Sequence, residues 1–383
     1  MRLGHATHAD WRIACELVLA QLGLPERRFS RPRAHARLSG LIYASAPLAG
    51  DFARIVAELA GRRPDVDWFG ACAPGIIAGQ GEYLDEPAVA ALVGGAGLAP
   101  LPADPDSWPS ASPPGGLLLL VRPDFIDLPV RLRGATGWLG ADAVFGGVIA
   151  DGGAMSRLLH PPAHGASALA VGARTVTRSS AGAVAIAAPR RITSIRGGQI
   201  ETIDHRPALE VLLEDLRIGP VTELRRSPIA LLKVLREAIA GQGLLVAIAP
   251  ADVRRAARPG LASHRLHELV GIDPAAGQIA VSGTTIPDER LTLCRRDAAA
   301  ARTDLIRICT ELREELEAEG CKPLAAHYVS CVARGRHLFG SSGVEAALIA
   351  HNLGECPLIG FFGGGEIGNG QIRGYSGVLT VLV

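Results

Sequence analysis

Gly363, Gly364 and Gly365 follow an apolar run at residues 357–361 and are followed in turn by Glu366. Three glycines allow positive φ and close approach of a ligand to the backbone amides, with Glu366 as the fixed charge of a small-ligand floor. The competing reading is a tight turn beneath a neighbouring strand, with Glu366 serving local amides. Upstream, Ser330-Cys331-Val332-Ala333-Arg334-Gly335-Arg336 ends another strand. An Arg beside a glycine at such an end suits a carboxylate held by two parallel hydrogen bonds, and Arg334 is better placed for this than Arg336. The same Arg334 equally suits an internal ion pair with Glu366. Both readings expect the two residues to be close.

Cys72 sits between Gly70 and Gly75, where a following helix would lower its pKa and make it nucleophilic. The Gly-x-Cys-x-x-Gly spacing is one residue longer than a nucleophile elbow, and no histidine is placed by motif as its base. A buried small side chain or pocket lining is the stronger reading of Cys72. The other cysteines are scattered, seven in all with no Cys-x-x-Cys pair, so neither a disulfide framework nor a structural zinc site is expected. Eleven histidines show no metalloprotease helix pair, and His160/His164, His264/His267 and His327/His337 are loosely patterned. Haem stays open, since one axial ligand suffices. There is no Gly-x4-Gly-Lys-Ser/Thr, and GQGEYL at residues 79–84 lacks the third glycine of a dinucleotide fingerprint, so ATP and NAD are rejected.

The elements that must carry these residues read as α/β. The 383 residues suit two domains or one composite domain, and 48% hydrophobic with 20% charged residues excludes general disorder. A net charge of +1 gives no global field for nucleic acid or an anionic membrane. The N-terminal residues lack a secretory signal pattern and no apolar run approaches membrane-spanning length, so a cytoplasmic location is expected. Apolar spacing predicts helices from Trp11 to Leu22 and from Phe52 to a stop at Gly61, and strands at residues 41–44, 66–69, 117–121 and 143–149. Six prolines between Pro100 and Gly116 predict an exposed loop, an insertion or a lid. Residues 191–196 and 199–204, joined by Gly197-Gly198, predict a primed hairpin.

A boundary is expected near residue 205, giving domains 1–205 and 206–383. The second half opens with helices at residues 209–216 and 228–239 and strands at 244–249, 278–282 and 291–295. The longest helix is expected at residues 297–319. A strand at 327–332, a helix at 342–353 with a Ser342/Glu345 capping box, and strands at 357–361 and 377–383 complete the chain. The fold class is therefore two lobes of mixed β-sheets flanked by helices, with antiparallel hairpins at their junction. FGACAPGII (69–77) and IGFFGGGEI (359–367) echo one another, so each half carries a strand-to-glycine elbow.

The segments SCVARGRHLFG, PLIGFFGGGEIG and GYSGVLTVLV resemble the C-terminal part of the FIST domain. Earlier segments, HRLHELVGIDPAAGQIAV and RRDAAAARTDL, resemble that part's first blocks. WFGACAPGII, VFGGVIADGG and RITSIRGGQIETIDHRPALEVLLEDL resemble the N-terminal FIST part, so the resemblance runs nearly the whole chain in order. It implies a stand-alone bacterial sensory domain that binds a small, amino acid-like ligand. The output partner it implies is a histidine kinase or a cyclic-dinucleotide enzyme. Some members bind haem and sense nitric oxide. The family's motif positions fall on Cys331, Arg334, Gly335, Gly364, Gly365 and Glu366.

Two departures are visible. The first elbow has Gly75-Ile76-Ile77 where Gly-Glu-Ile is usual, so an acid from the N-terminal half is missing. Near the end, Arg373-Gly374-Tyr375-Ser376 stands where a histidine is common, which leaves Tyr375 as a polar candidate. Together the expected ligand-binding residues are Cys72, Gly75, Cys331, Arg334, Gly335, Phe362, Gly364, Gly365, Glu366 and Tyr375. Arg334 would hold a carboxylate and Glu366 an ammonium, in a cleft shared by both halves. The alternatives are a haem sensor of nitric oxide and a thiol enzyme using Cys72 or Cys331; no metal and no other cofactor is expected.

Overall fold

The computed structural model describes residues 1–23, 38–95, 97–102, 107–108, 115–125, 127–149, 157–158, 166–218, 228–239, 243–250 and 264–383. It forms two compact units, one from residues 1–180 with 302–383 and one from residues 181–301. The mixed sheets and flanking helices are an α/β fold, as the apolar patterning predicts.

The first segment of the larger unit begins with β1 (Arg2–Thr7), α1 (Trp11–Leu22), β2 (Leu38–Ser45), α2 (Phe52–Arg62), β3 (Val66–Ala73) and β4 (Gly75–Ala78). It continues with β5 (Gly81–Leu84), β6 (Ala88–Gly94), β7 (Leu98–Pro100), β8 (Gly116–Val121), α3 (Leu128–Leu139), β9 (Val144–Val148), β10 (Arg157–Leu158), β11 (Ala166–Val171) and β12 (Thr175–Ala181). The smaller unit holds β13 (Ala183–Ala185), β14 (Arg190–Arg196), β15 (Gln199–Ile203), β16 (Arg206–Pro207), α4 (Ala208–Asp215), α5 (Pro228–Ile239), β17 (Leu244–Ala249), β18 (Arg265–Asp273), β19 (Gln278–Val281) and β20 (Arg290–Arg296). The chain then re-enters the larger unit through α6 (Ala298–Ala318), β21 (Ala325–Cys331), α7 (Arg336–Phe339), α8 (Val344–Leu353), β22 (Leu358–Gly363), β23 (Gly365–Gly368), β24 (Gln371–Arg373) and β25 (Ser376–Leu382).

The smaller unit is antiparallel throughout, in the order β20-β14-β15-β19-β18-β17, and β17 pairs back onto β20. That return closes the ring and leaves few open edges. Gly197 and Gly198 take φ of 58° and 79°, so the expected primed turn joins β14 to β15.

The larger unit has three sheets of one plan. Each contains a parallel pair, β2 with β3, β8 with β9, and β21 with β22, and an antiparallel neighbour on the first member, β6, β11 and β25. The second strand of each pair then leaves its own sheet. From β3 the chain turns into β4 and pairs with β22; from β22 it turns into β23 and pairs with β9; after β9 it returns as β10 to pair with β3. The three sheets are thus stitched in a ring, and both glycine elbows seen in the sequence lie in this unit. A third glycine, Gly146 after Phe145, occupies the matching position on β9. The register shows their equivalence: Gly70, Gly146 and Gly360 stand opposite Ile42, Leu119 and Tyr328. A Cβ at these glycines would lie 1.7, 2.0 and 1.7 Å from the carbonyl oxygens of those same neighbours, contacts no side chain can make.

The inward faces share one core, including Tyr43, Phe69, Leu118, Leu120, Phe145, Val329 and Phe361. The outward faces pack on helices: α1 and α2 cover Ile42, Trp68 and Cys72, and α6 with α8 cover Tyr328 and Leu379. Two expected boundaries change. Helix α2 runs through Gly61 to Arg62 and is capped at Arg63, whose guanidinium pairs with Asp65 at 2.7 Å. Helix α8 starts at Val344 without the Ser342/Glu345 capping box, because Glu345 is engaged elsewhere. Pro100 ends β7, and Trp108 packs on Trp138 of α3 at 4.9 Å; the rest of that proline-rich loop, residues 103–106 and 109–114, lies outside the described residues.

Candidate functional site

Alternation along a strand sends successive side chains to opposite faces. On β21 this directs His327, Val329 and Cys331 inward, and Tyr328 and Ser330 toward α8. On β23, Glu366 stands opposite Gly147 of β9 and Arg373 of β24. Its side chain enters the space between that sheet and the one containing β21. There it meets Cys331 at the end of β21 and Ser376 at the start of β25.

Arg334 and Glu366 are both buried, 1% and 0% exposed, but Glu366 is not the partner of Arg334. The guanidinium is tied to Glu345 of α8, with Nε 2.8 Å and Nη2 2.7 Å from Oε1. Glu345 gathers the strand end as well: it accepts from Tyr328 Oη at 2.6 Å, Ser330 Oγ at 2.9 Å and the Gly335 amide at 3.1 Å. Burial disfavours the Arg334 charge, but Glu345, with help from Glu366, holds it protonated. The expected closeness of Arg334 and Glu366 therefore takes the form of a field between neighbours rather than a bonded pair.

Glu366 accepts from the Ser376 amide at 3.2 Å and from Ser376 Oγ at 2.7 Å, both at Oε2. Burial pushes its carboxyl up to about 8, against the pull of the Ser376 donors, Arg334 and the Cys331 thiol. Among the described residues no nitrogen or oxygen donor reaches Oε1, and Arg334 Nη1 likewise has no acceptor. Cys331 is 6% exposed, and burial followed by the Glu366 charge pushes its thiol up to about 12, although the amides of Ala333 and Tyr375 face the sulfur. It is a protonated thiol in this state.

The remaining expected residues separate into two groups. Gly335, Phe362 and Tyr375 belong to the cluster. Gly335 has φ 50°, and a Cβ there would sit 2.8 Å from Phe362 Cε1, so the ring of Phe362 packs where a side chain would be. Tyr375 holds φ 57° and aims its amide at Cys331. Cys72 does not belong, and Gly75 stands opposite Phe362 in the β4–β22 register. Cys72 faces the α1/α2 core with its thiol 3.5 Å from Ser45 O, and a Cβ on Gly75 would meet Tyr83 O at 2.7 Å.

The glycine floor is also corrected. None of Gly363, Gly364 and Gly365 has positive φ. A Cβ on Gly363 would lie 2.8 Å from Val148 O, and the Gly364 amide donates to that same oxygen at 2.9 Å. The glycines make room for β9, and Gly364 alone of the three is exposed.

Sequence reasoning missed four contributors: Glu345, Ser376, Arg373 and Glu82. The acid thought absent from the first elbow arrives six residues later than Ile76. Glu82 Oε1 accepts from the amides of Glu345 and Ala346 at 2.7 and 3.0 Å, which caps α8 from β5. Burial and the nearby Glu345 raise its pKa, and Oε2 has no partner among the described residues. The available signal was polar residues inside apolar runs, Ser330 in AAHYVSC and Glu345 in VEAALIA, since buried polar groups need partners.

His327 does not fit an axial haem ligand. Its Nε2 is 2.8 Å from Tyr43 Oη, the rings of Tyr43, Phe145 and Phe361 enclose it, and burial pushes it down to about 3. The void beside it, at the end where the parallel strands begin, measures about 20 Å³, room for one water. His160 and His164 lie outside the described residues. No group of three or more His, Cys, Asp or Glu among the described residues could hold a metal ion.

Two family models match most of the chain. The FIST N domain matches residues 39–206 and the FIST C domain residues 208–369. These sequence blocks meet near residue 207, whereas the compact units divide at 180 and 301. Uncharacterized protein MT0656 of Mycobacterium tuberculosis (strain CDC 1551 / Oshkosh) is 29% identical over 216 residues, 55% of this chain and 52% of that protein. Uncharacterized protein Mb0898c of Mycobacterium bovis is 29% identical over 177 residues, 45% of each. The matches thus span about half the length of these relatives. FIST domains are sensory domains of signal transduction. With both halves of the domain matched in order, this chain belongs to the FIST family.

Proposed function

We propose that the chain is a cytoplasmic sensory domain that takes a small, amino acid-like ligand into the space bounded by Cys331, Arg334, Glu366 and Tyr375. The observation that carries this reading is a pair of polar atoms with no partner among the described residues, Arg334 Nη1 and Glu366 Oε1, both on side chains almost wholly removed from solvent. Such groups cost free energy unless something bonds them, and a small ligand with its own polar ends supplies that bond. Gly364, exposed at the elbow beside Glu366, offers an approach. Seven free cysteines fit a reducing compartment, and no described helix is long and apolar enough to cross a membrane. The ligand-bound state is passed to a separate output protein, a histidine kinase or a cyclic-dinucleotide enzyme.

Thermal melts against a panel of free amino acids test the reading. A true ligand at ~100 times its Kd adds about 2.7 kcal/mol, a rise of several degrees. Unchanged melting across the panel contradicts it.

A further inference from the structure

We infer that Glu366 serves the ligand as a hydrogen-bond donor, so that with Arg334 it reads a carboxylate or similar small oxoanion and does not hold an ammonium. This rests on the ligand site proposed above and fixes the chemistry of the part it recognises.

The geometry divides the two oxygens of Glu366 between different tasks. Both donors from Ser376 converge on Oε2, so a proton on this carboxyl belongs on Oε1, the oxygen no described nitrogen or oxygen donor reaches. Arg334 is divided in the same way. Nε and Nη2 are spent on Glu345, with Ser180 Oγ 3.5 Å from Nη2, and Nη1 is left over. With Oε1 protonated, both unmatched groups are donors. A ligand atom that satisfies both must be an acceptor, and a carboxylate offers two such oxygens. An ammonium, itself all donor, would satisfy neither Nη1 nor a protonated Oε1.

The surrounding charges agree. The groups facing Glu366 are Cys331 of β21, Arg334 in the turn after it, Arg373 of β24, and Tyr375 and Ser376 leading into β25. Glu345 stands behind Arg334 and offsets its charge. Burial disfavours the charge on Arg373, and an ionised Glu366 would favour it, so the two groups share one electrostatic environment. Burial favours the proton on Glu366 up to a pH of about 8.

The probes are acetate, which has only the carboxylate, ethylamine, which has only the ammonium, and alanine, which has both. Calorimetric titration of the full chain, in two buffers of different ionisation heat, reads binding and proton exchange together. Acetate and alanine are expected to bind with proton uptake where Glu366 is partly ionised, and their affinity should fall about tenfold per pH unit above about 8. Glu366→Gln, whose amide can place a donor where Oε1 stood, should keep acetate affinity within a few-fold and lose the pH slope. Binding of ethylamine and alanine with proton release, tightening as pH rises, overturns the inference and leaves the ligand site standing. Silence toward all three overturns both. The proton count on the unaltered chain decides the matter even if the variant folds poorly.

Discussion

Burial and hydrogen bonding oppose one another at Glu366, and burial wins by enough to bring the carboxyl to about 8. A carboxyl raised in the fold above its ordinary value of ~4.3 contributes stability that is complete below that value and lost as pH rises through about 8. The melting temperature of the unaltered chain relative to Glu366→Gln should therefore fall between about pH 5 and about pH 9. A constant difference across that window contradicts the assignment. His327 works in the opposite sense: held down to about 3 by burial, it gives stability that is present above ~6.5 and lost as pH falls toward 3. Tyr43→Phe leaves His327 Nε2 buried without its partner, and urea unfolding should show a loss of about 1–3 kcal/mol.

Helix α8 is fixed at its start by two carboxylates of different role. Glu82 caps its amides from outside, and Glu345, its own second residue, binds the strand end and Arg334. Glu345→Gln keeps the shape but removes the counter-charge of a buried guanidinium, so a loss of about 3–5 kcal/mol is expected in chemical denaturation. A loss under about 1 kcal/mol would mean the charge pair is dispensable. Apolar patterning located β2, β3, β8 and β21 as short runs buried on both faces, and α6 by the one-sided stripe from Leu305 to Leu316. It did not reveal that Glu345 would abandon a local cap for residues up to 17 positions upstream, nor that Glu82 would cap a helix 263 residues away. β18 leaves no clear apolar run, because RLHELVGID interleaves charges on its more exposed face. Long-range pairing leaves no mark in local spacing, which is why the identities of Arg334 and Glu366 were legible while their partners were not.

Across the larger unit, the two described elbows, after β3 and after β22, each send a strand out of the sheet it follows. By register from the three glycines, the position of Glu366 after Gly360 is taken by Ile76 after Gly70, and that of Cys331 by Ser45. Ser45 is already satisfied by the Ala88 amide at 2.8 Å, and Ile76 belongs to the apolar core. The third counterpart, at residue 152, falls outside the described residues. One acid-bearing position predicts one ligand per chain, and calorimetric stoichiometry near one checks it. A value near two or three would require the elbows to be functionally equivalent.

The stitching of β4 onto β22 and of β23 onto β9 has a consequence for biosynthesis. During translation, β9 emerges long before β23 and β24, and β4 long before β22, so the sheet of β9 cannot reach its final width, and β4 cannot find its partner, until the residues from 358 onward have left the ribosome. Nascent chains stalled before β22 should expose unpaired strand borders and recruit chaperones, and completion of the larger unit becomes an event that follows release.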